Sequence, residues 1–524
     1  MTRIFTLNWD AEPPGDVVVE VERKSLGEIV ITVKSMNSRL LQLALALITV
    51  CASISSVAQT ERLDLPDMGA SADSILSRKE EEEYAKALVR QMRAYEVLVE
   101  DPLISDFFRD MGYRLASNSD RPDKSFTFVV LDQPVVNAFA APGGVIALYT
   151  GLILAADDQN EVAGVLAHEI AHITQLHLYR ALEKQQAMTI PIALAMLGLV
   201  LAAGGGGEAI QGAVIGGQAA AMQAAINFTR DHEYEADRIG IATLSRAGYD
   251  PAGMGEFFEK MSRITRAMGE GPPEYLRTHP VSVSRIAEAD NRAQNLPKPP
   301  PSDGKDFYLM QARLRALSEK SPDTALKWFD NRMDRADVSQ AETDAVFYGR
   351  AIALQRKGEF GEARKLLESL LDRDRHLAYE LQLADLDLDS GNAEAAIGKL
   401  AALYQDFPGN HSISLQYAEA LLQDAQPAKA ETAAVVLRQQ LLTRPRDPRL
   451  YELYGRASNL AGDEVRAKEA IAESYYLRGG IHEAAMQLQG LVARDDLDYY
   501  QRARITARIN ELRLELAKLG LEEP

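Results

Sequence analysis

Apolar positions recur at helical spacing along most of the chain, and only short runs read as strands. Ser77 with Glu80 forms a capping box for a helix with a charged opening, Arg78 to Glu83, and Leu88, Met92 and Leu98 at helical spacing. Asp101-Pro102 restarts a second helix that reaches about Leu115. Residues 126–131, FTFVVL, are β-branched and aromatic and lie between Pro122 and Asp132, so they predict a strand. Pro142-Gly143-Gly144 turns the chain between 135–140 and a second strand, Val145–Tyr149. Asp157-Asp158 caps a helix that runs to about Tyr179. An apolar run at 188–203, broken by Pro191, ends in four glycines, Gly204 to Gly207. Another helix spans about 221–247, closed by Gly248, and Asp250-Pro251 opens the next. Residues 297–303, PKPPPSD, read as a semi-rigid linker, which sets a domain boundary.

Beyond that linker the pattern becomes repetitive. Gly358-Glu359-Phe360 with Ala363 recurs as Gly391-Asn392 with Ala396, then as Ala430, at a spacing of about 33–34 residues. Gly462-Asp463 with Ala467 and Gly479-Gly480 with Ala484 are less evenly spaced echoes. The period and the Gly–aromatic–Ala signature resemble tetratricopeptide repeats. In such repeats small residues sit where paired helices cross, and neighbouring pairs bury each other's apolar faces. The expected architecture is mainly α. It comprises an α+β domain with a small sheet at 65–296, a linker at 297–304, and an α-solenoid of tetratricopeptide-like repeats at 305–520.

The N-terminal pattern concerns compartment more than fold. Residues 40–58 read LLQLALALITVCASISSVA, and their apolar core is too short for a helix of roughly 20 residues to span a bilayer. Lys34 and Arg39 precede it and small residues ending at Ala58 follow, the layout of a cleavable secretory signal over 36–58. Met36 stands where such a signal begins, so 1–35 are expected to lie ahead of the true start. Export from the cytoplasm is the expectation.

Composition narrows the functions. In 524 residues the apolar fraction is 46% and the charged fraction 25%, which excludes a disordered scaffold or a multi-span membrane protein. A formal charge of −19 argues against nucleic acid as a partner. The lone cysteine, Cys51, rules out an intrachain disulfide and a thiolate metal site.

The chemistry gathers in the middle of the chain. In 162–176, VAGVLAHEIAHITQL, Val162, Val165, Leu166, Ile170 and Ile173 seat a helix on a core and leave His168, Glu169 and His172 together on its other side. Imidazoles at i and i+4 reach one zinc ion, and Glu169 between them can take a proton from the water that zinc acidifies. A third ligand should come from another element. Glu233 is assigned to that role, with His232 its main competitor, and Asp237, one turn on, is the acceptor that orients a ligating histidine. Glu235 points elsewhere, and His177 is read as a surface or packing residue. About 60 residues separate His172 from Glu233, unlike thermolysin-type spacing, and His177 does not fit a metzincin pattern. The insert at 187–226 reads either as an active-site cover or as a segment in contact with a membrane surface, through 188–203. His279, ahead of Pro280, is either an oxyanion donor assisted by Arg285, a fourth ligand that keeps the site latent, or a loop histidine. Residues 137–149 could hold substrate by strand addition, or be plain core strands.

Together, His168-Glu169-Ile170-Ala171-His172, Glu233 with Asp237, the strand Asn137-Ala138-Phe139-Ala140 with Pro142-Gly143-Gly144, and His279-Pro280 with Arg285 resemble the HtpX-like and CAAX-prenyl-protease family of zinc metalloproteases. The resemblance covers nearly everything from Leu65 into the repeats. It implies a zincin-type fold, one zinc held by His168, His172 and Glu233, and Glu169 as catalytic base. With a secretory signal, LPDMG at 65–69 and C-terminal repeats, it further implies a periplasmic endopeptidase. Its substrates would be misfolded or stalled outer-membrane β-barrel proteins, and its repeats would meet the β-barrel assembly machinery. A chaperone whose zinc site is latent is the competing expectation.

Overall fold

The protein is represented by a computed structural model that describes residues 19–24, 28–33, 76–184, 230–268, 273–333 and 338–518. The chain divides into two units, Met1–Ala70 and Ser71–Pro524. In the first, β1 (Val19–Lys24) pairs antiparallel with β2 (Glu28–Val33). The stretch 36–58, read as a secretory signal, and the insert 187–226 fall outside the described residues.

In the second unit, α1 (Arg78–Ala94) starts at the expected capping box, with Ser77 N donating to the Glu80 carboxylate at 2.8 Å. Asp101 caps α2 (Pro102–Ser117) by accepting from Ile104 N at 3.1 Å. The sheet comprises β3 (Thr127–Leu131), β4 (Ala138–Ala141) and β5 (Val145–Tyr149), in the order β3-β5-β4. β5 runs parallel to β3 and antiparallel to β4, and it is buried at every position, as a central strand must be. The turn into β5 holds Gly143 and Gly144 at φ of 73° and 77°, and a Cβ on Gly144 would lie 1.9 Å from Ser125 O. Only glycine fits there.

After α3 (Thr150–Ala155), Asp158 caps α4 (Gln159–Thr174) through Asn160 N and Glu161 N. The helix expected to reach Tyr179 breaks early. Gln175 caps α4, Leu176 adopts a left-handed φ of 56°, and α5 (His177–Lys184) starts in a new direction. α6 (Arg230–Arg246) and α7 (Gly253–Met268) then pack on α4, which is buried along almost its whole length. Two glycines let them close in. A Cβ on Gly240 would sit 3.1 Å from Ala167 C, and one on Gly164 2.9 Å from the Met254 backbone. α8 (Glu274–Thr278) and α9 (Val283–Gln294) complete this part.

Residues 297–304 have no regular structure and are mostly exposed. Among the described residues twelve helices follow, from α10 (Lys305–Ser318) to α21 (Tyr499–Lys518); most pack mainly on their neighbours in sequence, whereas α10 packs on Gln340–Lys357, two helices on. Ala363, Ala396 and Ala430, picked out by the spacing, are fully buried. One hydrophobic core runs from Ile104 and Phe108 through Leu166 and Phe257 to Phe307, Tyr348 and Tyr379. The early helices of the C-terminal region therefore share their interior with α2 and α4. Among the described residues no helix is long and apolar enough to cross a membrane.

Candidate metal centre

α4 supplies His168, Glu169 and His172, α6 supplies Glu233 and Asp237, the residue after α8 is His279, and α9 supplies Arg285. None is more than 5% exposed. His168 Nε2 lies 3.0 Å from His172 Nε2 and 3.2 Å from His279 Nδ1. Glu233 Oε1 lies 3.1 Å from His279 Nδ1 and 3.4 Å from His172 Nε2. These four residues each turn one ligand atom to a common centre, with all four atoms within 4.8 Å of one another. Buried lone pairs so close repel each other unless a proton or a cation lies between them, so the donor set is arranged around positive charge. Glu169 stands beside it. Its carboxylate faces the Ala140 backbone of β4, and Oε1 lies 3.5 Å from His279 Nε2.

A further layer holds these groups. His168 Nδ1 faces Asp237 Oδ1 at 2.9 Å. Arg285 donates from Nε and Nη2 to the two Asp237 oxygens at 2.6 and 2.7 Å, and from Nη1 to Glu233 Oε2 at 2.7 Å and Pro280 O at 2.8 Å. Most of the guanidinium's five N–H groups are thereby used. Arg285 clamps the two carboxylates, where the sequence suggested help to an oxyanion. The Tyr275 ring stacks on His279 with centroids 5.0 Å apart, and His279 N donates to Tyr275 O at 2.8 Å.

The profile of peptidase family M48 matches residues 107–293, the stretch that contains every one of these side chains. The β-barrel assembly-enhancing protease of Escherichia coli K12 is 35% identical over 450 residues, 86% of this chain and 91% of its own length. The chain belongs to the β-barrel assembly-enhancing protease family. It is a metallopeptidase. A putative family member from Vibrio cholerae is 31% identical over 88% of this chain and 94% of its own. The mitochondrial metalloendopeptidase OMA1 of Arabidopsis thaliana is 31% identical over 32% of each chain. Likeness to the family members thus extends through the helical C-terminal region, whereas the mitochondrial enzyme shares only a part.

The electrostatics of this family member's centre follow from burial and neighbours. Burial opposes charge on His168, but Asp237 and Glu233 overcome it and push its pKa up to about 9. The same carboxylates would attract a metal cation. Burial and the neighbouring His168 and His279 hold His172 well below the ordinary histidine value, against the pull of Glu233. Glu233, despite burial, is held well below the carboxylate range by His279, His168 and His172. Burial raises Glu169 even though His279 and His168 pull it down.

The competitor to Glu233 drops out, and the two readings of His177 narrow to one. His232 does not join the cluster; it stacks on His177 with centroids 4.5 Å apart and planes at 10°. Of the surface and packing readings of His177, burial leaves packing: it is fully buried, with Nδ1 2.9 Å from His172 Nδ1. The break at Leu176 explains the position of His177, because helical spacing counted from His172 fails beyond it. A cavity of about 1160 Å³ opens beside His172, bounded by α1, β3 and residues of the C-terminal helices such as Arg444 and Tyr476.

Proposed function

We propose that the chain is an exported zinc endopeptidase that hydrolyses misfolded or stalled outer-membrane β-barrel proteins in the periplasm, with His279 holding it latent until substrate arrives. The observation that carries this reading is the buried four-donor cage with Glu169 at its side. Three imidazole nitrogens and a carboxylate oxygen suit zinc, whose bonds of about 2.0–2.2 Å give tetrahedral edges of about 3.3–3.6 Å. Four of the six donor pairs here are 3.0–3.4 Å apart and the other two lie within 4.8 Å, close enough for all four atoms to reach one ion. His168, His172 and Glu233 would hold the ion, and His279 would fill the position that water needs. When bound, zinc supplies Lewis acidity that polarises a peptide carbonyl and acidifies water.

The chain's own residues do the rest. Glu169 takes a proton from the attacking water and returns it to the leaving amine, a task suited to a buried carboxyl whose pKa is raised. Asp237 orients His168, and Arg285 fixes Asp237 and Glu233 together. Strand addition, expected anywhere in 137–149, belongs at β4: β5 is enclosed by its neighbours, while β4 is an edge packed on α4. The helical region, read as tetratricopeptide-like repeats, would meet the β-barrel assembly machinery. Residues 36–58 would direct export.

The same cage favours a second reading, a chaperone in which the site stays closed. Comparing cleavage of an unfolded outer-membrane β-barrel protein by the parent and by His279→Ala separates the two. Latency predicts faster cleavage by the variant at equal zinc content. A zinc-loaded variant that no longer cleaves would make His279 a transition-state donor, and cleavage by neither protein would favour the chaperone.

A further inference from the structure

The two ligating histidines of α4 are supported in different ways. His168 turns Nδ1 to a carboxylate, Asp237, at 2.9 Å. His172 turns Nδ1 to another imidazole, His177 Nδ1, also at 2.9 Å, and His177 Nε2 in turn lies 3.2 Å from Glu235 Oε2. Arg180 Nη1 donates to that same oxygen at 3.0 Å, and the His232 ring stacks flat on His177. We propose that His177 and Glu235 are positioning residues that fix the tautomer and ring direction of His172, forming an outer chain Glu235–His177–His172 parallel to Asp237–His168. The inference rests on reading the cage as a metal site.

The proton placement follows from the geometry. His172 directs Nε2 at the other donors, so a ligating His172 carries its proton on Nδ1. That proton must be accepted by His177 Nδ1, which leaves the His177 proton on Nε2, aimed at Glu235. Every nitrogen in the chain then has a determined role, and Glu235 supports the far end. One helix serves the centre at three points: Glu233 in the cage, Glu235 behind His172 and Asp237 behind His168. The backbone points the same way. Leu176, a non-glycine residue at φ 56°, holds a strained left-handed conformation, and that turn is what brings His177 beside His172. Strain retained next to a candidate site is a reason to look for a role there.

The test is zinc affinity by competition with a chromogenic chelator, alongside the His172 ring-proton signal in nitrogen-15 NMR of the zinc-loaded full chain. His177→Phe keeps the packing against His232 but offers no acceptor, whereas His177→Asn keeps an acceptor near the position of Nδ1. The positioning role predicts a loss of affinity of about 10–100-fold in His177→Phe, substantial recovery in His177→Asn, and a smaller loss in Glu235→Ala. In the parent the His172 Nδ1–H proton is visible and slow to exchange; in His177→Phe it is lost. Parent-like zinc affinity and an unchanged ring proton in His177→Phe would overturn the proposal. Zinc binding by no protein, the parent included, would instead remove the metal-site reading on which it stands.

Discussion

Arg285 shows how tightly the centre's charges depend on one another. It is buried, makes a two-point contact with Asp237 and also reaches Glu233. Two buried carboxylates without this cation would be left partly uncompensated, and losing one partner of a buried ion pair costs about 3–5 kcal/mol. Urea denaturation of the metal-free protein should show a loss of that order in Arg285→Met; a loss under 1 kcal/mol would mean the clamp matters little to the fold. Much of the site was legible as single residues. His168 and His172 at i, i+4 share a helix face, and Glu233 and Asp237 do so on a second helix, so periodicity alone groups them. His279 was legible only as a candidate, because a loop residue before proline has no periodicity to say where it points. The contact of His177 with His172 was not legible for a physical reason: it lies across a left-handed turn at a leucine, a conformation that no local residue choice announces.

Elements were read well where caps and turns carry the signal. The capping box at Ser77, the cap at Asp101 and the glycine turn before β5 all form as expected. What periodicity could not show is how closely elements approach. Gly164 and Gly240 look like weak points of a helix, where glycine costs about 0.5–1 kcal/mol relative to alanine, yet they are where α6 and α7 press against α4. Asp101 has a similar double role. It caps α2 and also accepts from Arg313 of α10 at 2.7–3.0 Å, joining two elements far apart in sequence. Burial pushes the Asp101 carboxyl up, but the charge and hydrogen bonds of Arg313 outweigh it and leave it below the ordinary value. A carboxyl lowered by folding stabilises above its unfolded pKa of about 3.9, and that contribution is lost as pH falls through the lower folded value. The parent should therefore exceed Asp101→Asn in stability at neutral pH. Below about pH 4 the gap should narrow as acid protonates the parent's carboxylate. A gap unchanged down to pH 2 would contradict the assignment.

At the scale of the molecule, the sequence marks a change of character at the proline-rich stretch but not what happens across it. Helical spacing shows where Ala363, Ala396 and Ala430 must be buried. It cannot show that Phe307, Tyr348 and Tyr379 enter the same core as Phe108 and Leu166, because such contacts depend on shape complementarity between distant surfaces. Ion pairs continue the junction outward, with Arg444 on Asp106 at 2.9 Å and Arg478 on Glu100 at 2.9 Å. The cavity beside His172 lies along this junction, so the helical region forms part of the approach to the centre. A formal charge of −19 is consistent with protein rather than nucleic acid as the molecule that enters.

The most direct measurement pairs zinc content by mass spectrometry with cleavage of an unfolded outer-membrane β-barrel protein, for the chain from residue 59 onward and its Glu169→Gln variant. One zinc per chain in both, with cleavage reduced about 100-fold or more only in Glu169→Gln, is the predicted result. Absence of zinc from both, or equal cleavage by both, would contradict a zinc peptidase that uses Glu169 as its base.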